Sequence, residues 1–365
     1  MEGGGRGSNT WVVSGRLTDS GHPILCNDTH LQLQEPSVWY LNHLYSSEGF
    51  HAAGVSLPGV LGVIIGHNNH IAWGATLSYT DGEDLYVEKV HPKKPLQYLY
   101  KDEWLNMDII AETIKVKNHK KPFIEKVKQT IHGPIISDVF NTGGSCISYC
   151  SISLETNQIV NSFLMLNKAK NWDDFVNSIH LINAPPLNIS YADKIGNIGM
   201  CVTGKVPLRG KGKGQFPSPG WTGEYDWIGE IPNNEMPYTL NPECGYIIST
   251  NNKPVDDNYP HYLGNSFMNG YRAKRIQEVF STSEVINVEL CKMLHTDYYS
   301  LPGKKMKEGF KGFRTARPKA KKILNILLKW DCILDKDSKG GVVYEVLLYT
   351  MLKNLVEKDF GPKLT

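Results

Sequence analysis

Several signatures are missing from this 365-residue sequence, and each absence removes a class of function. There is no GxGxxG turn and no Walker-type loop, so neither a dinucleotide nor a nucleoside triphosphate has its phosphate cradle. Seven cysteines are present (Cys26, Cys146, Cys150, Cys201, Cys244, Cys291 and Cys332), none in a CxxC pair. Cys146 and Cys150 have no His or Cys cluster beside them, which argues against a zinc site. An odd count in a chain this long does not read as a disulfide framework. Net charge is only +2, and the lysines are scattered, so the clustered basic face of a nucleic-acid binder is lacking. The one basic run, Lys304 to Lys322, has nine Lys or Arg in nineteen residues and reads as a solvated helix and loop face. The longest apolar stretch, Ala52 to Ile65, contains Pro58 and is too short to span a bilayer. No apolar segment follows Met1, so no signal peptide is read and the compartment stays open. His67 and His70 have HxxH spacing but no third ligand, and read as turn residues. Gly54-Val-Ser56-Leu-Pro58 lacks the closing glycine of a nucleophile elbow.

What is present is ample core material, 41% hydrophobic, with a periodicity nearer two than 3.6. Strands are predicted at Trp11–Val13, Pro23–Cys26, Val60–Ile65, Ile71–Trp73, Leu85–Val90, Thr113–Lys117, Ile147–Ile152 and Leu187–Tyr191. The last turns at Asp193–Asn197 into Ile198–Val202. Helices are predicted over 36–46, over 172–181 with Asn171 as N-cap, and over 271–280, 285–295, 318–330 and 342–356. Pro and Gly concentrate between Val206 and Pro237, a long aromatic-studded loop of the kind that is usually functional or packs a site. Many strands followed by helices predict an α+β or layered fold.

The chemistry is concentrated in ordered short strings. The first is Gly7-Ser8-Asn9-Thr10-Trp11-Val12-Val13. It is followed by Asn27-Asp-Thr-His-Leu31, Ser56-Leu-Pro-Gly59, Gly66-His-Asn68, Ala72-Trp-Gly74 and His132-Gly-Pro134. Then come Gly223-Glu-Tyr-Asp-Trp227, Asn251-Asn-Lys-Pro254 and Tyr271-Arg-Ala273. In this order the strings resemble the catalytic β chain of the penicillin acylase family, among the N-terminal-nucleophile hydrolases, from Gly7 to about Arg275.

The resemblance implies a four-layer αββα sandwich and cleavage at Gly7–Ser8. A free α-amine has a pKa of roughly 7.7–8.0, so Ser8 would supply both nucleophile and base. Gly7 leaves its own carbonyl open to attack. The resemblance also places an oxyanion hole at the Asn251 side-chain amide and the Leu77 backbone N–H. Arg272 would lie near the site, pairing with a substrate carboxylate, holding Asn251, or serving in a structural salt bridge. His30 would orient the Ser8 amine or hydroxyl. Leu31, Ile65 and Ala75 would line an apolar acyl pocket. Asp81, Glu83 and Asp84 match a calcium-binding segment, two carboxylates and a carbonyl suited to a hard cation; no organic cofactor is implied. The expected activity is hydrolysis of a linear amide bearing an apolar acyl group. Residues 1–7 then read as a spacer remnant, and 8–365 as a partial β-chain catalytic domain short of its C-terminal portion. The implied partner is the α chain of the same precursor, and family members are periplasmic or secreted. The alternative is a catalytically silent remnant that only folds or binds.

Overall fold

A computed structural model describes residues 7–361. The chain divides into two compact units, Met1–Asn269 and Gly270–Thr365.

The first unit is built on two antiparallel sheets. Strand β1 (Gly7–Val13) starts four residues before the predicted one and is central in a three-stranded sheet, between β2 (Ile24–His30) and Tyr246–Ser249. Trp11, Val12 and Val13 are all buried, as expected of a strand covered on both faces. The larger sheet has seven strands. Its spatial order is Tyr238–Leu240, Ile198–Val202, Leu187–Asp193, then four strands that descend from its centre to its edge. These four are, in chain order, β3 (Tyr40–Tyr45), β4 (His51–Ser56), β5 (Ile65–Asn68) and β6 (Ile71–Leu77), with β6 beside Leu187–Asp193 and β3 at the edge.

Strand alternation explains the layering. Tyr191 and Ile189 point to one face of the seven-stranded sheet, where α1 (Ile159–Leu166) and α2 (Trp172–Ile179) bury Phe163, Leu166, Phe175 and Ile179 against them and Trp73. Each such buried side chain contributes roughly 1.5–3 kcal/mol. Ala192 points to the other face, where with Ile198 and Met200 it meets Val12 and Ile247 of the smaller sheet. Asn171 caps α2 as predicted, its Oδ1 accepting from the Asp174 N–H at 2.9 Å.

Two local expectations fail for identifiable reasons. Residues 36–46 carry no helix; Tyr40–Tyr45 is instead the edge strand β3, paired residue for residue with β4. A short apolar run fits both periods, and sheet pairing decides between them. The Val60–Ile65 run contributes only Ile65 to a strand. Val63 is buried, but its N–H and C=O are both taken by the Asn167 side-chain amide at 2.7 Å rather than by a neighbouring strand.

The second unit is helical: α3 (Tyr271–Thr282), α4 (Val288–His295), α5 (Leu301–Gly309), α6 (Pro318–Lys329) and α7 (Lys339–Phe360). Its core gathers Leu327, Trp330, Cys332 and Tyr344. Gly340 is required there, since an added Cβ would lie 2.2 Å from Trp330. The lysine-rich run lies on α5, the turn after it and the start of α6, mostly exposed, as read. Among the described residues no helix is long and apolar enough to cross a membrane.

Candidate active site

Ser8 is held by the geometry of β1. Thr10 pairs with Ser249, so the same register would set Ser8 opposite Asn251. The neighbouring strand ends at Ser249, and Asn251 turns away with φ +65°, a left-handed conformation that asparagine tolerates better than most residues. Its side-chain amide then takes the place of the missing strand. Oδ1 accepts from the Ser8 N–H at 2.7 Å, and Nδ2 donates to the Ser8 Oγ at 3.1 Å and to the Leu77 carbonyl at 2.9 Å. Because the Leu77 carbonyl can only accept, the amide orientation is fixed. Ser8 is 5% exposed and Asn251 fully buried.

Leu77 closes β6. The backbone N–H and C=O of Ala75 both bond the Asn27 side chain, and Ser78 N–H bonds Pro186 across the sheet. Alternation therefore turns the Leu77 N–H to the same side as its carbonyl, the side on which Asn251 lies. Asn27 also bonds the Asn9 carbonyl at 2.8 Å, stitching β1 to β6 beside the nucleophile. Further in, Thr76, Asn188 and Ser249 form a buried hydroxyl–amide network at 2.7–3.2 Å.

His30 ends β2, the strand beside the nucleophile's, with its ring on the other face of the sheet. Gly7 pairs with His30 and Ser8 with Thr29, so the Ser8 and His30 side chains leave opposite faces of the sheet. The His30 ring meets Asp28 Oδ2 at 3.0 Å and Asn9 Nδ2 at 3.4 Å. The sheet thus rules against an orienting bond from the ring to the Ser8 hydroxyl. Leu31 lies just past β2 and is 43% exposed, Ile65 packs against the helix-covered core, and Ala75 is buried in β6 two residues from Trp73. Arg272 sits in the first turn of α3, in the second unit.

The acidic segment holds a different arrangement from the one expected. Arg209 Nε donates to Asp84 Oδ2 at 2.8 Å, and its Nη2 lies 3.5 Å from Asp81 Oδ2. Trp227 Nε1 donates to the same Asp84 oxygen. Glu83, adjacent to Asp84 on β7 (Glu83–Glu88), faces the other way and accepts from Tyr149 OH. Burial pushes the Asp81 carboxyl above its ordinary range, against the pull of Arg209. Among the described residues no three metal-capable side chains converge. Asp81 and Asp84 are thus bridged by Arg209, Glu83 lies on the other side, and Asp84 Oδ1 is buried without a hydrogen-bond partner among the described residues.

A second polar cluster went unread in the sequence. His132 Nδ1 lies 2.9 Å from Glu88 Oε1 and its Nε2 3.1 Å from Asp226 Oδ1, with Tyr86 stacked on the ring. Glu88 also accepts from Thr130 and Ser148, and Tyr100 OH donates to Asp226. Burial alone would lower the His132 pKa, but the two carboxylates outweigh it and raise the value above 6.5. A raised native pKa stabilises most below the unfolded value, and the contribution is lost as pH rises through the native one. Thermal stability is accordingly expected to fall as pH rises from 6.5 in the wild type. His132→Ala, which among the described residues leaves the buried Glu88 only the hydroxyls of Thr130 and Ser148 and no cation, is expected to lose about 3–5 kcal/mol and this pH dependence with it. Melting both proteins across the range checks it; a flat wild-type profile is the contrary result.

Two stacked antiparallel sheets, the seven-stranded one covered by helices, place the chain in the αββα sandwich class. The family model described as penicillin amidase matches residues 3–365, and the chain belongs to that family. Acyl-homoserine lactone acylase QuiP of Pseudomonas aeruginosa is 30% identical over 98% of this chain and 45% of its own length. Penicillin G acylase of Escherichia coli is 33% identical over 69% of this chain and 29% of its own. A solved structure, thermostable penicillin G acylase from Alcaligenes faecalis, superposes with a TM-score of 0.78 at 25% identity, over 90% of this chain and 60% of that one. The chain spans about half the length of the curated relatives it matches.

Proposed function

We propose that this chain is the catalytic β-chain region of an amidohydrolase that cleaves linear amides of apolar acyl groups, with Ser8 as nucleophile once the Gly7–Ser8 bond is cut. The observation that carries this reading is the Asn251 amide, which engages the Ser8 N–H, the Ser8 Oγ and the Leu77 carbonyl together. In the uncut chain the Ser8 nitrogen is an amide and cannot accept a proton. Cleavage makes it an amine, still oriented by Asn251 Oδ1, with a lone pair free for the hydroxyl proton.

The steps then balance. Ser8 Oγ attacks the substrate carbonyl while its proton passes to the Ser8 amine. The amine returns that proton to the departing substrate nitrogen, leaving an acyl ester on Oγ. Water attacks the ester by the same route, and the carboxylic acid leaves. Asn251 Nδ2 and the Leu77 N–H would share the oxyanion in both halves. The acyl groups named for the relatives, those of homoserine lactones and penicillins, are the substrates to try first.

The proposed partner is an α chain of the same precursor. The β3 edge exposes Tyr40, Leu41 and Tyr45, and the hairpin of Asp108–Ile114 with Phe123–Thr130 exposes Ile109, Ile110, Ile114, Phe123 and Ile124. Bare edges and apolar ribbons of this kind are usually covered.

The test is intact mass and turnover of the precursor expressed with its flanking segments. A mature chain beginning at Ser8, together with release of free amine from an N-acyl homoserine lactone or a penicillin, is the expected result. Turnover with Gly7–Ser8 uncut overturns the mechanism; cleavage without turnover of any acyl amide selects the silent alternative.

A further inference from the structure

We propose that Arg209 is a built-in cation that closes the Asp81–Asp84 turn, so that this chain holds the turn without a metal ion. The guanidinium is almost wholly buried, its side chain 4% exposed, and Asp84 beside it is 5% exposed. Its Nε bonds Asp84 Oδ2 at 2.8 Å, and its Nη2 lies 3.4 Å from the Asp81 carbonyl and 3.5 Å from the Asp81 carboxylate. One planar group thus meets a carboxylate oxygen of each aspartate and the Asp81 carbonyl.

The surroundings hold one edge of the guanidinium, while its Nη1 is buried without a hydrogen-bond partner among the described residues. Arg209 ends the strand Pro207–Arg209, and its pairing with Trp227–Glu230 slips by a residue between Leu208 and Arg209. The extra residue, Ile228, lies on the partner strand, and the bulge brings Trp227 opposite Arg209. Trp227 adds its indole N–H to Asp84 Oδ2, and Gly214 packs over Asp84 Oδ1 so closely that a Cβ there would fall 1.8 Å from it. Calcium takes roughly six to eight oxygens at about 2.3–2.6 Å. Asp84 Oδ2 already receives two N–H donors while Oδ1 is buried without one, and an ion bridging Asp84 to Asp81 would have to displace a buried arginine, a residue that never gives up its charge.

The clamp also bears on the nucleophile's surroundings. The segment it holds runs directly from Leu77, through Tyr79 at φ +55° and the Asp81 N–H bonded to the Leu263 carbonyl, into β7. Arg209 is therefore a positioning residue for the end of β6, acting through the turn.

The experiment reads stability rather than turnover, so it stands apart from the catalytic proposal. The chelator-treated protein with its flanking segments is melted in EDTA and in millimolar calcium, and titrated with calcium by calorimetry. The wild type is expected to melt at one temperature in both and to give no binding heat; a calcium-dependent rise with one ion bound overturns the proposal. Arg209→Ala is expected to melt on the order of 10 °C lower and to recover part of that loss in calcium, which then finds two bare carboxylates. An unchanged melting point, or a loss that calcium does not touch, overturns it. If Arg209→Ala does not fold, Arg209→Lys replaces it: a smaller loss with no calcium response is expected, and a calcium response is the contrary result.

Discussion

Ser8→Ala is expected to leave the Gly7–Ser8 bond uncut and to lower turnover by on the order of 10⁶, the scale at which a hydrolase loses its nucleophile. The two losses should appear together, because one oxygen is proposed for both steps. Folding should change little. The Ser8 N–H keeps its bond to Asn251 Oδ1, and β1 keeps its pairing with β2. What is lost in the fold is the acceptor at 3.1 Å from Asn251 Nδ2, and a single unmet donor costs about 1–3 kcal/mol. Ser8→Cys retains a nucleophile at the same atom and is expected to be cut while hydrolysing poorly. Intact mass reports the first step and amine release the second, each against the wild-type melting curve. A Ser8→Ala protein that still turned over acyl amides at the wild-type rate would remove Ser8 from the mechanism.

The site was legible in the sequence where its parts are local or recur in order, and illegible where register decides. Ser8 and Asn251 stand in the ordered strings and Leu77 follows only from the resemblance; one amide joins all three, through the Leu77 carbonyl rather than its N–H. The strings also hold Asn27 and Asn68, polar residues within strands that disfavour them. Both prove to be stitches, Asn27 between β1 and β6, Asn68 to the carbonyls of Asn167 and Ala169. His30 could be placed near Ser8 along the chain but not on a face of the sheet, which needed the pairing of Gly7 with His30. Likewise β1 was read from Trp11 onward, because Gly7, Ser8 and Asn9 have weak strand preference and are made extended by β2. The Asp81–Asp84 segment was readable as acidic; its partner Arg209 lies 125 positions further on, and nothing local announces the pairing. The same distance hides Asp226 from His132, 94 positions apart.

Asn251 gives the sharpest separation of chemistry from backbone. Removing one oxyanion-hole donor costs roughly 10²–10³ in kcat, and Asn251→Ala is expected to fall in that range with KM little changed. Alanine alone would leave the result ambiguous, since it also meets φ +65° with a Cβ. A non-glycine residue without asparagine's local hydrogen bonds is strained there by roughly 1–2 kcal/mol. Asn251→Gly removes that strain and the amide at once. The two variants should therefore share the loss in kcat, while only alanine carries the added loss of stability. Asn251→Asp goes further. It keeps the shape, replaces both donors with acceptors, and sets a carboxylate against Ser8 Oγ and the Leu77 carbonyl at a fully buried position. A buried negative charge facing a developing oxyanion opposes it, so this variant should be the slowest of the three as well as less stable than the wild type. Steady-state kinetics and melting curves on the three proteins separate the terms. If Asn251→Gly retains wild-type kcat, the amide serves only to replace the missing strand beside Ser8, and the oxyanion must be met by other donors.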